Sequence, residues 1–235
     1  MGDRPSAWVI GTGGIGAHLI ERLAQDHDVV GFDRVERPSR FPFYRVDAAD
    51  RAAFAASAKA AAESHGMPDV FVMTAGTVSY LALESATPEE TTEVLADNLV
   101  GPINVLHTAY HLGPLRPRTC VLVTSNAAFV PRPGQPLYAA SKAATVSLVR
   151  SLAVGWAAAG IRVLAVAPGT VMVERNRERV ARQYPHAPLD PGRPGGRLLV
   201  PGELADLVAG LLPHADHLTG QVITVDGGST LTGAR

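Results

Sequence analysis

A chain of 235 residues with 46% hydrophobic content fits one large α/β domain and is too apolar for extended disorder. Its 21 basic and 22 acidic residues nearly cancel, which removes any electrostatic basis for binding nucleic acid or an anionic membrane. A single cysteine, Cys120, excludes an internal disulfide framework and suits a reducing cytoplasm. With no signal peptide and no apolar stretch long enough to span a bilayer, the expectation is a cytoplasmic protein.

Along the chain, short β-branched runs alternate with Ala/Leu-rich segments of helical period. Strands are expected at 7–11, 28–33, 43–47, 69–74, 119–124, 161–167 and 221–225. Helices are expected around 15–26, 50–65, 88–112, 137–159, 174–183 and 202–212. Runs such as Val70-Phe-Val-Met73 and Val163-Leu-Ala-Val-Ala167 are apolar without alternation, so both faces of the sheet should be buried. The predicted fold is α/β, a single doubly wound parallel sheet (Rossmann fold) with helices on both faces, spanning 1–235.

The first strand ends in a glycine-rich turn, Gly11-Thr-Gly13-Gly14-Ile15-Gly16, that opens the first helix. Glycines there allow backbone amides to approach a pyrophosphate, whose charge the helix N-terminus favours. Asp33 ends the second strand roughly 20 residues later, where a dinucleotide fingerprint places a carboxylate for the ribose 2′-hydroxyl. That carboxylate would repel a 2′-phosphate and favours NAD over NADP, although the neighbouring Arg34 is a potential phosphate ligand. A plain strand-end turn is the other reading of Asp33. Asp47 closes the third strand and reads either as an acceptor for an adenine amino group or as a cap for helix 50–65. After the fourth strand, Thr74-Ala75-Gly76 should bring backbone close to the cofactor. Cys120 lies in the apolar run Cys120-Val-Leu-Val123 and reads as a buried, inert thiol.

Tyr138 and Lys142 stand four apart on helix 137–159, one turn apart on one face. A phenol has an ordinary pKa of about 10, and a fixed ammonium nearby favours the phenolate. The pair is a candidate general base for removing a proton from an alcohol. Residues 185–201, rich in proline and glycine, read either as a surface loop or as a substrate lid. The histidines show no paired spacing with carboxylates or cysteine that argues for a metal.

Taken together, the glycine turn, Asp33, Ala75-Gly76, Asn98, Ser125, Tyr138/Lys142, Pro168-Gly169 and Asp226-Gly-Gly228 resemble the short-chain dehydrogenase/reductase family in order and spacing. The resemblance covers essentially the whole chain. It implies a catalytic tetrad of Asn98, Ser125, Tyr138 and Lys142. Tyr138 would be the base, Lys142 would lower its pKa, Ser125 would hold the reacting oxygen, and Asn98 would hold a water linking Lys142 to solvent. Simpler readings also stand, a turn for Ser125 and a helix bend for Asn98. The resemblance also counts Pro168, Gly169 and Val171 among the cofactor contacts.

Ser125-Asn-Ala-Ala-Phe-Val-Pro-Arg-Pro-Gly134, Gly31-Phe-Asp33 and Val225-Asp-Gly-Gly-Ser-Thr-Leu231 resemble one branch, the 2,3-dihydro-2,3-dihydroxybenzoate dehydrogenases of siderophore biosynthesis. This implies oxidation of that acid, or of its amino analogue 2,3-dihydro-3-hydroxyanthranilate in antibiotic biosynthesis. Arg132 then becomes a candidate carboxylate partner, with a solvated loop arginine as its alternative; Arg175 and Arg197 are further candidates. The chain departs from the family pattern in a glycine turn one residue shorter, in Thr74 where an asparagine is usual, and in Val173 where a threonine is usual. A carbonyl reductase or ketoreductase on another small cyclic substrate, or a non-catalytic NAD-binding regulator, are the competing functions. Related enzymes pair the helices corresponding to 88–112 and 137–159 between subunits, which implies a homotetramer, or else a dimer.

Overall fold

In the computed structural model, which describes residues 4–113, 118–190 and 193–232, the apolar runs form seven parallel strands. These are β1 Ser6–Ile10, β2 Asp28–Asp33, β3 Phe43–Arg45, β4 Val70–Met73, β5 Arg118–Val123, β6 Ile161–Pro168 and β7 Val222–Val225. Their order across the sheet is β3-β2-β1-β4-β5-β6-β7. β1 pairs with β2 on one side and with β4 on the other, so the chain reverses its direction of winding between them. Such a reversal leaves a crevice at the carboxyl ends of the two central strands. The glycine turn and Thr74-Ala75-Gly76 both emerge there.

Burial on both faces follows the period-two alternation of each strand. Along β1, Trp8 and Ile10 enter one core, while Ala7 and Val9 enter the other. The first core is covered by α2 Arg51–His65, α4 Gly101–His111 and α5 Pro136–Gly155; the second by α1 Ile15–Leu23 and α7 Pro201–Leu211. Trp8, Phe32, Phe54 and Phe71 form the aromatic centre of the first core. The Trp8 ring lies 5.1 Å from that of Phe32, which lies 5.6 Å from Phe54. Cys120 belongs to this core, and burial pushes its thiol up to about 12, as expected of an inert cysteine.

Helix ends follow their local chemistry. Asp50 caps α2 by accepting from the Ala53 amide, 3.0 Å away. Thr87 and Glu90 form a reciprocal capping box on α3 Pro88–Leu95, whose first position is proline. The single helix expected over 88–112 is instead α3, a π-helical turn at Ala96–Val100, and α4. Asn98 sits in that turn with its side chain fully buried. After β6 come a 3-10 turn at Glu174–Asn176 and α6 Arg177–Gln183. Isolated bridges Val171–Leu199 and Leu189–Arg197 then fold the described part of 185–201 back against the chain. No described helix is long and apolar enough to cross a membrane.

Candidate active site

The crevice begins with a backbone interlock between the glycine turn and the end of β4. Gly11 has φ of +92°, and a Cβ there would stand 2.4 Å from the Ala75 nitrogen. A Cβ on Gly16 would stand 1.8 Å from the Gly11 carbonyl oxygen. Only glycine fits either place. Thr74 donates its hydroxyl to the Gly11 carbonyl at 2.5 Å, which ties the turn to β4. The threonine found where the family has asparagine is therefore a structural tie across the crevice.

A cleft of about 500 Å³ opens over this interlock, bordered by Gly11, Gly13, Gly14, Ile15, Asp33, Asp47 and Ala75. Its floor of glycines brings no side chains of its own, and the N-terminus of α1 favours negative charge there. These features fit the pyrophosphate of a nicotinamide dinucleotide. Asp33 accepts from the Thr12 amide at 2.7 Å and from the Val35 amide at 3.0 Å. It thus serves the turn as well as facing the cleft. Asp47 accepts from the Ala49 amide at 2.8 Å and does not cap α2, since Asp50 does. Arg34 pairs with Asp97 at 3.0 Å, which takes it away from the role of free phosphate ligand. Arg37, which no sequence motif marks, places its guanidinium 2.9 Å from where a Cβ on Gly13 would be.

A second cavity of about 390 Å³ adjoins the first. Ser125, Tyr138 and Lys142 all line it. Ser125 leads from β5 into the 3-10 turn Asn126–Ala128; its Oγ accepts from the Ala127 amide at 3.2 Å, and its side chain hydrogen-bonds Tyr138. α5 carries Tyr138 and Lys142 on one face, with the Lys142 ammonium 5.7 Å from the centre of the Tyr138 ring. The turn reading of Ser125 therefore holds, and the same side chain stands beside Tyr138.

The electrostatics correct one expectation. Burial raises the Tyr138 phenol; the Ser125 hydrogen bond and the charges of Arg175 and Arg132 oppose this without overcoming it. The expected lowering of the phenol is not seen, because burial outweighs the groups that favour the phenolate. Burial first, and then Arg175, push Lys142 down to about 8, against the pull of Asp97. Asn98 is committed to the loop after β4. Its amide donates to the Thr77 carbonyl at 2.8 Å and to Ser141 Oγ at 3.1 Å, and its Oδ1 accepts from the Thr77 amide at 2.9 Å. The bend reading of Asn98 thus has a cause, since this clasp and the π-helical turn coincide.

The other charged side chains of the cavity wall are all cationic. Arg132, Arg175, Arg179 and Arg193 border it, with no aspartate or glutamate among the described lining residues. Arg132 reaches Asn126 Oδ1 at 3.4 Å, and Arg175 reaches the Gly76 carbonyl at 3.4 Å. Arg197 lies elsewhere, held by both carboxylate oxygens of Glu203, so it is not a candidate for substrate. Pro168, Gly169 and Val171 line the side where β6 ends. Of residues 185–201, Arg193 is the described member at the cavity; α6 and Tyr184 supply more of that wall.

Arg193 was not legible as a site residue. It is buried, paired with Asp190 at 3.1 Å, and it donates to the Asp226 carbonyl at 2.5 Å. Burial would raise the Asp226 carboxyl, but hydrogen bonds from Thr230, Asn126 and Ser229 outweigh it and hold the group down at about 2. The motif Asp226-Gly-Gly228 thereby anchors the far end of the cavity. Tyr80 and Arg179 likewise belong to no motif that marks them in the sequence.

Comparison with known proteins agrees with this geometry. A family model described as enoyl-(acyl carrier protein) reductase matches residues 16–230. The 2,3-dihydro-2,3-dihydroxybenzoate dehydrogenase of Escherichia coli K12 is 32% identical over 241 residues, covering 96% of this chain and 97% of its own. Among solved structures, ligand-free aldohexose dehydrogenase of Thermoplasma acidophilum superposes with a TM-score of 0.88 at 24% identity, covering 99% of this chain and 95% of that one. ElxO with NADP bound gives a TM-score of 0.86 at 22% identity, covering 96% and 98%. Those two likenesses concern the fold alone. The family match and the relative at 32% identity carry the assignment further, to dehydrogenation at an alcohol carbon with a nicotinamide cofactor. This chain is a member of the short-chain dehydrogenase/reductase family.

Proposed function

We propose that the protein uses NAD to oxidise a ring alcohol of a small dihydro-aromatic carboxylic acid, giving the aromatic acid. The observation that carries this reading is the substrate cavity itself, where Ser125 and Tyr138 face a wall of four arginines with no lining carboxylate among the described residues. Arg193 is paired with Asp190, which leaves the charge of Arg132, Arg175 and Arg179; a neutral sugar or ketone gives no reason for it, whereas a carboxylate does. The relative named a dihydrodihydroxybenzoate dehydrogenase supplies a substrate of this class. The candidates are 2,3-dihydro-2,3-dihydroxybenzoate and 2,3-dihydro-3-hydroxyanthranilate, with Arg132 among the arginines that meet the acid group. Siderophore or antibiotic assembly in the cytoplasm is the setting these substrates imply.

Tyr138 takes the hydroxyl proton, and Ser125 holds the reacting oxygen against it. Lys142 keeps the base oriented, and below a pH of about 8 it retains the charge that favours the phenolate. Asn98 fixes the loop that carries Gly76 and Thr77 beside that ammonium. A bound NAD would supply the hydride acceptor and a positive charge that favours the phenolate. With a dihydro-aromatic acid, the dienone formed becomes a phenol, and aromatic stabilisation makes the step effectively irreversible. Asp33 at the ribose end, together with Arg34 held by Asp97, supports NAD over NADP.

The test is NADH formation with the two acids, beside a Tyr138→Phe variant. The expected loss of kcat is about 10²–10⁴-fold with NAD binding retained. Failure of the unaltered protein to turn over either acid would reject the substrate class. A higher kcat/KM with NADP than with NAD would reject the cofactor. Light scattering addresses assembly, for which a homotetramer is the expected form.

A further inference from the structure

The cavity arginines differ in what already occupies their donors. Arg193 is held by Asp190 and the Asp226 carbonyl, Arg132 reaches Asn126, and Arg175 reaches the Gly76 carbonyl. Arg179, on α6, is arranged differently. Its guanidinium carbon lies 4.7 Å from the centre of the Tyr80 ring, and Nη1 donates to Gln183 Oε1 at 2.8 Å, one turn along the same helix. Its Nε is buried and has no acceptor among the described residues.

A guanidinium presents Nε–H and Nη2–H side by side along one edge, and those two parallel donors match the two oxygens of a carboxylate. In Arg179 the opposite nitrogen, Nη1, is the tethered one. Stacking on Tyr80 fixes the plane, and the Gln183 tether fixes the rotation. That leaves the other edge oriented, and its Nε–H has no acceptor among the described residues, which is costly for a buried donor unless something accepts from it. Tyr80, Gln183 and Arg179 all line the same cavity as Tyr138.

We propose that the Nε–Nη2 edge of Arg179, stacked on Tyr80 and tethered by Gln183, receives the carboxylate of the substrate. This rests on the carboxylic-acid reading above and sharpens it, because α6 rather than the Arg132 loop then carries acid recognition. Arg179 is a specificity-determining contact, remote from the proton transfer at Tyr138.

The experiment compares oxidation of the dihydroxy acid with that of its carboxamide, which keeps the ring alcohol and loses the charge. Arg179→Gln is expected to raise KM for the acid at least about tenfold while leaving kcat/KM for the carboxamide within about threefold. Arg179→Lys, which keeps the charge without the fork, should recover only part of the loss. A parallel calorimetric titration of the NAD-loaded protein with 2,3-dihydroxybenzoate should show the same weakening in Arg179→Gln. An equal effect on acid and carboxamide would overturn the proposal. So would an acid-selective loss in Arg132→Gln that is absent from Arg179→Gln. If the unaltered protein oxidises neither acid nor carboxamide, the substrate reading fails; the anion titration then decides for Arg179, with undiminished binding in Arg179→Gln counting against it.

Discussion

The two sides of the active-site chamber are held together in different ways. On the side of β1, α1 and β4, backbone meets backbone, with Gly11, Gly16 and Ala75 so close that no further carbon fits. On the side built after β6, long side chains hold the structure: Arg193 on Asp190 and Asp226, Arg179 on Tyr80 and Gln183, Arg175 on Gly76. A wall of interlocked backbone cannot vary, and it faces the part of the site that binds an invariant cofactor. A wall of arginines can exchange its side chains without unravelling a strand, and it faces the part that must select a substrate.

The comparison breaks most severely at Gly16. Gly16→Ala puts a methyl carbon 1.8 Å from the Gly11 carbonyl oxygen, so the turn has to move. The destabilisation should exceed the ~1–3 kcal/mol of an ordinary overpacked core, with NAD binding lost. Thermal unfolding and NADH fluorescence titration would check this; unchanged cofactor affinity would show that the interlock is dispensable. On the other wall, Arg193→Met strands the Asp190 carboxylate and the Asp226 carbonyl. Here about 3 kcal/mol of stability should go, a fall in melting temperature of roughly 6–12 °C, while NAD affinity holds.

A smaller effect is expected at Arg175, whose charge lowers both Tyr138 and Lys142. Removing it in Arg175→Gln lets both groups rise, so the pH–rate profile for alcohol oxidation should move toward higher pH. A profile that stays in place would mean the guanidinium does not act on the base. The smallest effect lies in acid. Asp226 is held at about 2 against an ordinary 3.8, so its contribution to stability is complete above about pH 4 and disappears as pH falls through about 2. Asp226→Asn should be less stable at neutral pH and should lose less stability between those limits, as circular dichroism melts at each pH would reveal.

Legibility in the sequence follows the same division. The span expected for the second strand, 28–33, is the span observed, because a strand buried on both faces declares itself by an unbroken apolar run. Ser125, Tyr138, Lys142 and the glycines were readable because their chemistry fixes both residue type and spacing. The break at Ala96–Val100 was not readable, since its correlate is the bond between Asn98 and Thr77, 21 positions back along the chain. Arg193 and Arg179 were invisible for a related reason. An arginine in a proline-rich loop or a short polar helix looks solvated until tertiary structure supplies Asp226 or Tyr80. The expected strand 43–47 proved shorter, Phe43–Arg45, at the sheet edge where burial gives the weakest signal.

The cofactor cleft and the substrate cavity share a party wall of Ile15, Thr74, Gly76, Val173 and Arg175. Whatever fills the first space along that wall becomes part of the surface that the second ligand meets. The kinetic order of the reaction follows from this. The dinucleotide should enter first and leave last, so that the reduced cofactor competes with the oxidised one, whereas the product of alcohol oxidation does not.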